Sequence, residues 1–193
     1  MLLSGMMAER VPAERKDGTV RDGASYAARY ERKTRALRSR PWAVALLRGA
    51  NKALTLLFYL AYAALFGCLL FQGESAARLV WLVVVPGAAF VVVSWYRRHF
   101  DAPRPYECCP IDPLISRDGT GRSFPSRHAF SAFAIASCWF AACAPAAAVL
   151  LIGAALLALC RVAGGVHFPR DVIVGGALGV AAGGLAAALF LLL

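Results

Sequence analysis

Four stretches of this chain contain no Asp, Glu, Lys or Arg: residues 53–73, 79–96, 129–160 and 172–193. Nothing else in the sequence narrows the fold as far. A bilayer core is ~30 Å thick and a helix rises about 1.5 Å per residue, so each stretch is long enough to cross as a helix. Composition agrees: 60% of the residues are hydrophobic and 17% charged, against roughly 25% charged in soluble domains. A disordered chain, a secreted disulfide scaffold and a soluble nucleic-acid binder are excluded on these grounds. The expected fold class is all-α, a polytopic transmembrane helical bundle.

The spans follow from where the charges and breakers fall. The first is expected at about 52–72, and the turn Gln72-Gly73-Glu74-Ser75 separates it from a second at about 77–96. A loop over roughly 99–125 carries Pro103, Pro105, Pro110, Pro113 and Pro125; a loop this long is usually functional or disordered. Residues 129–160 are too long for one ordinary span, and Pro145 is the obvious place for a turn between two. The last span starts near Asp171, with Gly175, Gly179 and Gly183 as a small-residue face for close helix packing. The count is five.

The net charge of +10 is concentrated at one end: residues 1–52 hold twelve Lys/Arg and five Asp/Glu. Three regions are expected, namely a flexible arm over 1–24, a basic interfacial helix over 25–50, and a transmembrane domain over 51–193. The helix carries Arg29, Arg32, Lys33, Arg35, Arg38 and Arg40 beside Tyr26 and Tyr30, which suits an amphipathic helix lying on anionic headgroups. A solvated basic helix is the plain alternative. Pro41 should end it. The arm lacks an aromatic-interleaved groove, so nucleic acid is not an expected partner. The six cysteines show no metal-ligand spacing.

Outside the arm, the ionisable residues gather at three span ends. One cluster runs from Arg97 to Pro105, a second is Phe124-Pro125-Ser126-Arg127-His128, and a third runs from Arg161 to Asp171. In a five-span chain the ends of spans two and four and the starts of three and five share one membrane face, so the clusters meet. The residue types suggest phosphate chemistry without a metal or cofactor. Arginine's planar fork suits phosphate oxygens, and Pro125 and Pro169 look like helix-start prolines that place Ser126 and His167 near anion-binding helix N-termini. Asp171 lies four residues after His167 and can accept its ring N–H. His167 can then attack phosphorus through its other nitrogen, and His128 can protonate the leaving oxygen. His99, Arg98, Glu107 and Asp112 read as interface or loop surface, with Arg122 and Arg127 as extra candidates for substrate contact.

At these residues the chain resembles the membrane branch of the type 2 phosphatidic acid phosphatase superfamily, which is related to vanadium haloperoxidases. That family's three motifs are Lys, six residues, Arg-Pro; Pro-Ser-Gly-His; and Ser-Arg, five residues, His, three residues, Asp. Here they are met by Arg97 with Arg104-Pro105, by Pro125-Ser126-Arg127-His128, and by Cys160-Arg161 with His167 and Asp171. Arg97 stands for Lys, Arg127 for Gly and Cys160 for Ser. The resemblance implies a phosphate pocket of Arg97, Arg104, Ser126 and Arg161, to which the substituted Arg127 adds a charge. It further implies His128 as general acid, His167 as the nucleophile forming a phosphohistidine, and Asp171 as its partner. The implied activity is hydrolysis of a lipid phosphomonoester or diphosphate: phosphatidic acid, phosphatidylglycerol phosphate or polyisoprenyl diphosphate. A phosphotransferase with the same site and a non-catalytic anion-binding transporter or scaffold are the alternatives. The expected location is the cell membrane, multi-pass. On the side of the catalytic face, positive-inside charge points to the cytoplasm and resemblance to six-span relatives points outward.

Overall fold

The computed structural model describes residues 19–117 and 119–192, with side chains from residue 23 onward; most of the arm expected over 1–24 lies outside the described residues. The helices are α1 (Thr19–Arg38), α2 (Pro41–Phe71), α3 (Ala76–Phe100), α4 (Pro105–Cys108), α5 (Arg127–Cys138), α6 (Ala144–Ala163) and α7 (Pro169–Leu192). Four segments are long and apolar enough to cross a membrane: Pro41–Phe71, Ala76–Cys108, Ala144–Ala163 and Pro169–Leu192. Their outward residues, among them Leu56, Leu60, Val84, Val91, Ile152 and Ile173, are exposed although apolar, as lipid contact requires. This is a multi-pass membrane protein.

The third of the five expected spans is the short one. Helix α5 has 12 residues and continues into a 3₁₀ turn at Trp139–Ala141, together about 24 Å of rise. Bilayer thickness does not set its length, because α7, α6, α2 and α3 pack around it. Ala129, Phe130, Ala132, Ala134, Ala136, Ser137 and Cys138 are all buried. The turn into α6 falls at residues 139–143, before Pro145, which sits in the first turn of α6. Proline is tolerated there because the first helical N–H groups have no partner within the helix.

The helix carrying half of the third motif is locked to α5 by glycine. A Cβ on Gly175 would fall 2.5 Å from the Ser126 carbonyl, and Cβ atoms on Gly179 and Gly183 would collide with the Phe130 and Ala134 carbonyls. The four-residue spacing therefore lets two backbones touch along three turns.

Helix α2 begins at Pro41 and runs unbroken past residue 50 to Phe71. The helix before it, α1, lies on protein. Ala27, Tyr30 and Thr34, at helical spacing, are buried, and the Tyr26 ring meets Phe168 edge-on at 4.9 Å. The Tyr30 hydroxyl donates to the Ala163 carbonyl at 3.0 Å, and Arg38 pairs with Asp112 at 3.3 Å. Gly165 has φ +76, and a Cβ there would lie 2.6 Å from the Tyr30 hydroxyl. Glycine is thus required both by the turn and by the docked tyrosine. Arg29, Arg32, Lys33 and Arg35 are exposed, and Arg29 and Lys33 line a cavity of about 720 Å³ that α1 forms with Pro103, Phe168 and Arg170.

Candidate active site

The end of α3, the starts of α5 and α7 and the end of α6 meet at one end of the bundle. Backbone bonds fasten the loops between them. Ser123 N–H donates to the Ala102 carbonyl at 2.8 Å, Leu114 N–H to Gly164 at 3.0 Å, and Ser126 N–H to Asp171 at 2.9 Å. The last bond sets the N-termini of the parallel helices α5 and α7 side by side, so the positive ends of both dipoles lie at this end of the bundle.

His167 and Asp171 are both buried, at 1% and 0% exposure. His167 Nδ1 lies 3.5 Å from Asp171 Oδ2, longer than a well-formed hydrogen bond. A third residue closes the gap. Ser123, itself buried, donates its hydroxyl to Asp171 Oδ2 at 2.5 Å and lies 3.3 Å from His167 Nδ1. Asp171 Oδ2 also accepts the Phe168 N–H at 3.0 Å. Burial pushes the His167 imidazole down to about 4, with Arg161 and Arg104 adding to the shift and Asp171 opposing it. The ring is therefore neutral near pH 7, the state a nucleophile needs.

Arg97, at the end of α3, is buried and donates through Nη1 to the Ser123 carbonyl at 3.1 Å and also to the Pro125 carbonyl. It holds the loop that delivers Ser123 and Ser126. Arg104 is buried, and its Nε donates to Gly121 at 2.9 Å. Glu107 does more than its exposed position suggested: its carboxylate accepts the Arg104 N–H at 2.6 Å and the Gly121 N–H at 2.7 Å. It thereby fixes the start of α4 against the loop before the second motif. Ser126 is the N-cap of α5, its hydroxyl accepting from Ala129 N–H at 3.5 Å. Pro125 precedes this cap and is not a helix-start proline, whereas Pro169 is the first residue of α7.

His128 and Arg161 line one cavity of about 290 Å³ with Asn51, Lys52, Thr55 and Ser116. A second cavity, about 330 Å³, adjoins His128 among Phe58, Phe90, Ile135 and Leu157, and Arg127 lies at its wall. The Arg127 guanidinium sits 6.0 Å above the Phe90 ring. Among the described residues no group of three His, Cys, Asp or Glu is placed to hold a metal ion. His99 is exposed and stacks on Trp95 at 5.5 Å.

All three motifs thus reach one end of the bundle, with His167 and Asp171 in contact, Arg97 and Ser126 fastened around them, and His128 sharing a cavity with Arg161. Ser123 and Lys52 lie outside the expected site residues, and Glu107 is expected only as loop surface. Lys52 is the last charge before the first apolar stretch, so its place at the mouth of the site was available. No spacing marks Ser123.

Residues 76–192 match the sequence profile of the PAP2 superfamily. No curated protein matches the chain. A crystal structure of a transmembrane PAP2-type phosphatidylglycerolphosphate phosphatase from Bacillus subtilis is similar in fold, with a TM-score of 0.63 at 22% identity over 85% of each chain. The crystal structure of Aquifex aeolicus LpxE matches with a TM-score of 0.48 at 25% identity, covering 75% of this chain and 93% of that one.

Proposed function

Because this chain belongs to the PAP2 superfamily, we propose that it is a membrane phosphatase hydrolysing a lipid phosphomonoester or diphosphate through a phosphohistidine, with no metal. The observation that carries the reading is the buried Ser123–His167–Asp171 cluster beside buried Arg97, Arg104 and Arg161. A structural histidine has no need of three buried guanidinium groups, and a simple anion site has no need of an oriented neutral imidazole.

The chemistry follows from the groups. Asp171 and Ser123 hold the Nδ1 edge of His167, leaving Nε2 to attack phosphorus. His128 donates a proton to the leaving oxygen as the P–O bond breaks. Arg97, Arg104, Arg161 and the paired helix N-termini stabilise the charge spread over the transferring phosphoryl oxygens. Water then attacks the phosphohistidine, giving its proton to His128 and releasing inorganic phosphate. The lipid tail stays among the helices, with phosphatidic acid, phosphatidylglycerol phosphate and polyisoprenyl diphosphate as candidate substrates.

The test is phosphate release by the purified protein from these lipids in the presence of a chelator. Release that persists with chelator, is blocked by vanadate and disappears in His167→Ala supports the reading. Full activity in His167→Ala refutes it.

A further inference from the structure

Arg127 takes no part in the cluster just described, and its surroundings are unusual for a cation in a membrane protein. It is the first residue of α5 and is exposed at the wall of the 330 Å³ cavity, between the α2 residue Phe58 and the α3 residue Phe90. Among the described residues no carboxylate pairs with it, and its guanidinium lies over the Phe90 ring. The neighbouring charge is a like one, since Arg97 lies within reach of its field. At the wall of an otherwise apolar cavity, a cation with no carboxylate beside it is free to take an anion carried by whatever fills that cavity.

Its position relative to His128 indicates which function. His128 adjoins two cavities, one shared with Arg161 and Lys52 and the other with Arg127 and apolar side chains from α2, α3, α5 and α6. The apolar cavity is the side on which a lipid tail fits, and therefore the side of the leaving group. An anion bound by Arg127 belongs to the part of the substrate that departs.

We infer that Arg127 binds a second phosphate carried by the leaving group, so that the preferred substrates are lipids with another phosphate between the scissile phosphoryl group and the tail. The inference rests on the hydrolase reading above. In a lipid diphosphate, His167 Nε2 bonds to the terminal phosphorus and the bridging P–O bond breaks. Its electron pair goes to the bridging oxygen, which becomes part of the lipid monophosphate, protonated by His128 or held as the anion by Arg127. Water hydrolyses the phosphohistidine to inorganic phosphate. Arg127 meets charge that grows on the leaving phosphate in the transition state, which is where a fixed cation accelerates the step. A simple phosphomonoester offers it nothing.

The experiment compares kcat/KM for a polyisoprenyl diphosphate and the monophosphate of the same chain length in detergent micelles. It uses wild type, Arg127→Gly, Arg127→Lys and, as a surface control, Arg98→Gln. The diphosphate-to-monophosphate ratio is expected to fall roughly 10- to 100-fold in Arg127→Gly, the range of one charge-assisted contact. Arg127→Lys should recover part of it, and Arg98→Gln should keep the wild-type ratio. An unchanged ratio in both Arg127 variants overturns the inference while leaving the hydrolase reading intact. Wild type that turns over the monophosphate but not the diphosphate overturns the inference alone, and absence of phosphate release from these lipids and from phosphatidic acid and phosphatidylglycerol phosphate overturns the hydrolase reading and the inference with it.

Discussion

Replacing Ser123 by alanine tests the catalytic geometry most directly. Its hydroxyl has one proton, and the 2.5 Å contact with Asp171 Oδ2 claims it, because a carboxylate only accepts. Toward His167 Nδ1, 3.3 Å away, the oxygen can then offer only a lone pair. Both neighbours of Nδ1 are therefore acceptors, the proton must sit on Nδ1, and Nε2 keeps its lone pair for phosphorus. Ser123→Ala removes a hydrogen bond to a charged group, worth about 1.5–3 kcal/mol. It leaves Asp171 Oδ2 with the Phe168 N–H and a ring 3.5 Å away. At about 1.36 kcal/mol per tenfold, kcat should fall roughly 10- to 150-fold, with KM within about threefold, because the arginines proposed to bind phosphate are untouched. The assay is initial-rate phosphate release across substrate concentration, together with ¹⁵N-histidine NMR to read the protonated ring nitrogen. Ser123→Thr keeps the hydroxyl and should restore most of the rate. A kcat for Ser123→Ala within about twofold of wild type, or a loss confined to KM, refutes the tautomer argument.

Four other outcomes can be checked. Gly179→Val drives a side chain into the Phe130 carbonyl and should lower stability by about 1–3 kcal/mol or more, read as detergent-phase thermal unfolding; Gly184→Ala, with nothing within 4 Å, should not. His167 is held down to about 4, so it stays neutral as pH falls through the ordinary histidine range; an inflection near 6.5 in its own NMR titration would contradict this. The same depression means that the unfolded chain gains a proton before the folded one, so His167 makes folding less favourable as pH falls from about 6.5 toward 4. Cys108 and Cys143 are both exposed, and they lie at opposite ends of the bundle. In single-cysteine variants, an impermeant maleimide should label Cys143 in intact cells and Cys108 only after permeabilisation, as positive-inside charge requires; the reverse pattern places the site outside.

What the sequence made legible was whatever depended on local spacing or on charge scarcity. His167 and Asp171 meet because four residues bring the first turn of α7 back to the segment just before it, and counting apolar stretches places the three clusters together. Those arguments need no tertiary detail. The Ser123 and Glu107 contacts depend on the path of the 101–126 loop, where Arg122 has φ +54 and Gly121 φ +60, and no pattern in the residues specifies that path. Hydropathy marked 129–160 as two passes but gave no reason for the turn to fall at Trp139–Ala141. The seat of α1 was equally hidden. A basic helix with two tyrosines has the same composition whether it rests on lipid or, as here, on the Ala163–Phe168 segment beside the nucleophile.

The cations of α1 carry a consequence for how the protein can vary. Membrane orientation and phosphate chemistry draw on the same kind of charge at the same end of the bundle, and of the described Lys and Arg only Arg78 lies at the other end. If the arginines of the site alone supplied the orientation signal, each catalytic substitution would also risk inverting the chain. The exposed row Arg29, Arg32, Lys33 and Arg35 lies outside the candidate site, so a positive-inside signal carried there does not depend on the site's own arginines. It frees the pocket to gain or lose an arginine, as at Arg127, without turning the bundle over.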